Sequence, residues 1–238
     1  MKFLYISDTA NSLAEEWAEH LTVQLQKTFE HADADLLTEL RDPDVFSEWL
    51  QTNDVDLIFI SCDNESRIIQ RFLNACRSLR IPYIFLTDTM SKLPLLTKYE
   101  TALHEVLAPV TRLEEEVYKA EILSSLQRYT NCAVTLLQAN DYGSRAQRNT
   151  ERINTFLTSK AESSAVRIIK AVKSSDSLYR ELSTRQRELV PDMLVVTASR
   201  EYGLDDLVFG PAERHIVRKA QIPVMLLNPR DDLFSLCD

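Results

Sequence analysis

Short apolar runs alternate along this chain with stretches in which apolar residues recur every three or four positions. Runs of the first kind suit strands buried on both faces, and the second kind suits helices laid over them. Lys2–Ile6 reads as a strand. Ser12 with Glu15 forms a capping box, after which Leu13, Trp17, Leu21 and Leu25 share one helical face. Ala34–Leu37 is a candidate second strand, and Pro43 opens a helix to Leu50. Asp56–Cys62 then reads as a buried strand, Ser66–Leu79 as a helix and Pro82–Thr87 as a strand. Met90–Thr101 contains Pro94, has no clear period and reads as a link.

The alternation then restarts. Strands are expected at Glu105–Val110, Ala133–Gln138, Val166–Val172, Met193–Thr197 and Ile222–Leu227. Helices are expected at Leu113–Tyr129, Arg145–Leu157, Asp176–Leu189 and Pro211–Ala220. In the first of these helices Leu113, Val117, Ala120 and Leu123 should face inward. Strands alternating with helices through short connections imply a doubly wound α/β fold with a parallel sheet.

Composition adds a division to this picture. Net charge is −9, which disfavours nonspecific nucleic-acid binding. Residues 1–104 hold 9 basic and 17 acidic side chains, and residues 105–238 hold 18 and 19, so the acidity sits in the first half. No apolar run is long enough to cross a bilayer, and the N-terminus lacks a signal-peptide profile, so a cytoplasmic location is expected. Cys62, Cys76, Cys132 and Cys237 form no C-x-x-C pair, which fits reduced thiols. His20, His31, His104 and His215 show no metal-ligand spacing, so no metal is expected.

The two halves echo each other. DLIFISCDNESRIIQRFLNACRSLRIPYIFL and DMLVVTASREYGLDDLVFGPAERHIVRKAQIPVMLL share one plan: Asp, apolar strand, polar loop, helix, Ile-Pro, apolar strand. A duplication is the simplest source of that match, with units at 1–103 and 104–238. The second unit resembles the universal stress protein family. EVLAPVTRLEEEVYKAEILSSLQRYTNCAVTLLQANDY is similar to that family's opening, and the segment from Asp192 to Pro229 is similar to its close. The resemblance implies two tandem units of the adenine nucleotide alpha hydrolase-like fold, the first degenerate. Family members commonly dimerise through the last strand. The resemblance therefore implies Pro82–Thr87 beside or opposite Ile222–Leu227 in an intrachain pseudo-dimer. Ile222–Leu227 could equally be an exposed edge in a homo-oligomer.

Nucleotide-binding members of the family carry a G-x2-G-x9-G-(Ser/Thr) signature. Its positions fall here on Thr197, Arg200, Gly210 and Pro211, with Gly203 between them. Thr197 and Arg200 put side chains where glycine lets a backbone approach phosphate. Pro211 offers neither hydroxyl nor N–H. Asp205, Asp206 and Glu213 add negative charge. The family's base- and ribose-side aspartate corresponds to Thr111, with Ala139 beside it, while Asp8 is the equivalent in the first unit. The resemblance thus implies a degenerate nucleotide cleft at Thr111, Ala139, Thr197, Arg200, Gly203 and Gly210.

The expected function is that of a non-enzymatic stress-response or regulatory protein acting through contacts with partner proteins. ATP and AMP are not favoured as cofactors, and no membrane or nucleic-acid partner is expected. The alternative is a sensor or hydrolase for a nucleotide or small anion, retaining one cleft near Thr111, Thr197, Arg200 and Gly210. The first unit also looks in places like a response-regulator receiver, but Ser61 stands at the acceptor position and cannot form an acyl phosphate. The carboxylates of Arg112–Glu116 read as a solvated helix start suited to the helix dipole.

Overall fold

The computed structural model describes residues 2–7, 12–25, 28–31, 48–50, 52–53, 55–77, 79–90, 103–161, 165–198 and 211–229. In chain order the strands are β1 (Lys2–Ser7), β2 (Thr28–His31), β3 (Val55–Cys62), β4 (Tyr83–Thr87), β5 (Glu105–Val110), β6 (Ala133–Gln138), β7 (Val166–Lys170), β8 (Met193–Thr197) and β9 (Val224–Leu227). The helices are α1 (Ser12–Gln24), α2 (Ser66–Cys76), α3 (Lys119–Thr130), α4 (Ser144–Lys160), α5 (Leu178–Leu189) and α6 (Ala212–Lys219). Short 3₁₀ turns at Glu114–Tyr118 and Ser175–Ser177 lead into α3 and α5.

The strands form one sheet in the order β2-β1-β3-β4-β9-β8-β5-β6-β7. Every neighbouring pair is parallel except β4 with β9. The expectation of parallel sheets therefore holds within each half, and an antiparallel seam joins the halves into a mixed sheet. At the seam Tyr83 faces Leu226, Ile84 faces Met225 and Phe85 faces Val224. β9 is thus an interior strand, and the expectation of an exposed edge at Ile222–Leu227 is corrected. Read outward from the seam, the second half runs β9, β8, β5, β6, β7 and the first runs β4, β3, β1, β2. In each half the last two strands lie next to the first two in the same order. The closing helices α2 and α6 pack together over the seam.

The central strands β3, β4, β5, β8 and β9 are buried almost throughout, as their continuous apolar runs require. Phe59 is the aromatic hub of the first half, meeting Trp17 edge-on at 6.5 Å and Phe3 at 5.9 Å. Cys62, Cys76 and Cys132 are buried free thiols. Burial pushes the thiols of Cys76 and Cys132 above their ordinary range, so they behave as small apolar residues.

Some expectations need correction. The strand beside β1 is Thr28–His31, whereas the expected Ala34–Leu37 lies outside the described residues, as does most of the helix from Pro43. Leu13 and Leu113 are exposed rather than inward-facing. Leu113 precedes the 3₁₀ turn, whose different period breaks the helical phase before Val117, Ala120 and Leu123 reach the core. Pro211 sits one position before α6 instead of inside its first turn, and its carbonyl accepts from Arg214 at 3.1 Å.

Candidate functional site

A doubly wound sheet opens a crevice where successive connections leave in opposite directions. In the second half that point lies between β5 and β8, whose next strands, β6 and β9, lie in opposite directions along the sheet. The pairing of β5 with β8 covers only Val106–Met193 and Leu107–Leu194. Beyond it lie Pro109, which has no N–H to donate, and then Thr111. The two strands part there, and backbone groups that a neighbouring strand would satisfy need other partners.

Side chains from the following turn supply them. Lys119, wholly buried, donates its Nζ to the Pro109 carbonyl and to the Glu116 carboxylate. Glu116 Oε1 accepts from the Thr111 N–H at 3.2 Å and from the Thr111 hydroxyl at 2.7 Å. Glu116 Oε2 accepts from the Thr197 hydroxyl at 3.1 Å. One buried carboxylate thus collects four donors from the ends of β5 and β8 and from the start of α3. Burial lowers the pKa of Lys119, and the adjoining Glu116 carboxylate opposes that shift.

A second cluster closes the other side of β5. Asp141, also buried, accepts from the Ser175 N–H at 2.9 Å and from its hydroxyl at 2.5 Å. Arg112 reaches Asp141 at 3.3 Å and grips Asp176 at 2.9 and 3.2 Å, which raises its pKa further. These contacts tie the segments following β5, β6 and β7 together at one end of the sheet. The Asp141 carboxylate also serves the first N–H of the turn that leads into α5.

Of the residues expected to line a degenerate cleft, Thr111 and Thr197 come together on Glu116. Ala139 lies on the far side of β5, its N–H donating to the Val110 carbonyl at 2.9 Å. Arg200, Gly203 and Gly210 lie outside the described residues, as do Asp8, Asp205 and Asp206. Glu213 is buried in the first turn of α6. Ser61 is fully buried in β3.

Sequence reasoning missed Glu116 and Lys119. The carboxylates of Arg112–Glu116 do not form a uniformly solvated run: Glu114 is exposed while Glu116 turns inward. The available signal was a lysine beside Ala120, three residues after a glutamate, on the arc expected to face the core. Among the described residues no group of three or more potential metal ligands occurs, and no helix is long and apolar enough to cross a membrane.

Residues 100–228 match the model of the Universal stress protein family. By sequence, no curated protein matches the chain. A universal stress protein from Archaeoglobus fulgidus has a similar structure, with 10% identity and a TM-score of 0.59 over 98% of this chain and 88% of that one. A functionally unknown protein from Pseudomonas aeruginosa is similar at 14% identity and a TM-score of 0.60, over 99% of this chain and 95% of that one. Both likenesses concern the fold, and both run across the two halves of the sheet.

Proposed function

Since this chain belongs to the universal stress protein family, we propose that it is a non-enzymatic stress-response or regulatory protein. In this reading it acts through protein contacts, and its nucleotide cleft is closed by its own side chains. The carrying observation is the position of Glu116, whose carboxylate uses the donors at the β5–β8 crevice. At the Thr197 end of that crevice, the first position of the family's phosphate signature, an incoming phosphate would meet the Glu116 carboxylate, and two anions in a poorly solvated site repel strongly. This supports a cleft that does not take the phosphates of an adenine nucleotide.

The same reading takes the chain as a tandem repeat, with units at 1–103 and 104–238 and the first unit degenerate. The matching order of strands on either side of the seam supports this, as does the packing of α2 on α6. The seam then takes the place of the dimer contact between separate copies.

Calorimetric titration with ATP and AMP, alongside native mass spectrometry of the purified chain, tests the proposal. The expected result is no heat of binding and no co-purified adenylate. Micromolar binding at one nucleotide per chain would sink it in favour of a sensor or hydrolase, which requires Glu116 to leave the crevice.

A further inference from the structure

The reading above places the protein's work on its surface, and the following inference rests on that reading. Among the described residues β7 ends the sheet and pairs with β6 alone. The Ala165 carbonyl accepts from Val134, and the Ala171 N–H donates to Gln138. Backbone direction alternates along a strand, so Val166, Ile168 and Lys170 turn their N–H and C=O groups outward. The next outward donor, the N–H of Val172, is taken by the Glu181 carboxylate at 2.9 Å. Among the described residues, these three are left presenting an open rung.

The side chains along this edge give it a chemical preference. Ile168 and Val172 are exposed, at 48% and 72%. From Ala165 to Lys173 the sequence holds three basic residues and no acidic one, in a chain of net charge −9. Arg167 is engaged by Thr135 and Glu105. Lys170 and Lys173 have no ion-pair partner among the described residues.

Lysine on an edge strand guards against unwanted pairing, but the guard is selective. Two copies of β7 side by side would bring like charges together, which is unfavourable across a strand pair. A strand bearing carboxylates meets the opposite situation. We propose that β7 is the docking edge for an extended, acidic segment of a partner protein. That segment adds a tenth strand through Val166, Ile168 and Lys170, with its carboxylates beside Lys170 and Lys173.

The test uses the isotopically labelled full chain and nine-residue peptides in which valine alternates with glutamate, lysine or serine. The glutamate peptide is expected to slow amide exchange at Val166, Ile168 and Lys170, and to bind more weakly as salt rises. The double variant Lys170→Glu/Lys173→Glu should weaken it about tenfold. Ile168→Pro removes an outward donor without touching the β6 ladder, so it should abolish the protection while the melting curve shows the fold retained. Equal binding of the lysine peptide, self-association that protects the same amides, displacement of the peptide by an RNA oligonucleotide, or no protection at millimolar glutamate peptide each overturns the proposal. An ATP titration on the same sample separates the two ideas. Nucleotide binding with β7 protection intact sinks only the closed-cleft reading, and absence of both sinks only the docking edge.

Discussion

The Glu116 carboxylate lies 3.1 Å from the Thr197 hydroxyl, across the gap where β5 and β8 cease to pair. It also binds the ammonium of Lys119, which is itself wholly buried. Glu116→Ala leaves that ammonium without its counter-charge, and the expected cost is about 3–5 kcal/mol in urea unfolding. Formate or acetate should restore part of the loss by entering the vacated space. Glu116→Leu with Lys119→Met removes both charges and should recover part of that loss, while the Pro109 carbonyl and the Thr111 and Thr197 donors stay without these partners. A double variant as unstable as Glu116→Ala would show that the pair is not the unit that matters.

Lys119 also gives stability a pH dependence of definite sign. Burial lowers its pKa in the folded state, with Glu116 acting against the shift. The folded chain therefore binds this proton less readily than the unfolded chain. Its contribution to stability rises with pH between the lowered folded value and about 10.4, the unfolded value. In urea melts taken from neutral pH upward, the parent should gain on Lys119→Met across that window. A constant difference between the two would count against the lowered pKa.

Asn228 fastens the seam. Its Nδ2 donates to the carbonyls of Cys76 and Leu79 at 2.7 and 2.8 Å, and its Oδ1 accepts from the Tyr83 hydroxyl at 3.0 Å. Asn228→Ala strands all three partners and should cost about 1–3 kcal/mol. Tyr83→Phe loses only one of the three bonds and should cost less. Thermal unfolding of both variants checks the order.

Val190 follows α5 with φ of 47°, a left-handed conformation that crowds a branched side chain. It is 64% exposed, so little packing is lost on removing it. Val190→Gly is expected to raise stability by about 1 kcal/mol, read from the urea midpoint at unchanged slope. A loss of stability would mean that the side chain makes contacts its exposure does not reveal.

The sheet was legible where strands are buried on both faces, because burial there demands unbroken apolar runs such as Leu57–Ile60 and Met193–Val196. Thr28–His31 was not legible. Among the described residues its TFEH pairs with β1 alone, at the edge of the first half, and an edge strand needs no such run. The seam could be anticipated because two Ile-Pro strands occupy matching places. The crevice was half legible. Thr111 and Thr197 could be located through the resemblance to the family's opening strand and glycine signature, but Glu116 could not. A glutamate among glutamates at a helix start reads first as solvated, and its spacing from Lys119 is the one local sign to the contrary. Only the parting of β5 from β8, a tertiary event caused by Pro109 and the strand directions, decides between the two.

The β4–β9 seam has a consequence for how this protein responds to its own abundance. Two surfaces that meet inside one polypeptide do so at a fixed effective concentration, so dilution does not separate them. Synthesis and degradation alter the number of joined pairs, and leave the joined fraction unchanged. A cell could therefore tune the amount of this protein over a wide range without altering the shape that each molecule offers to others.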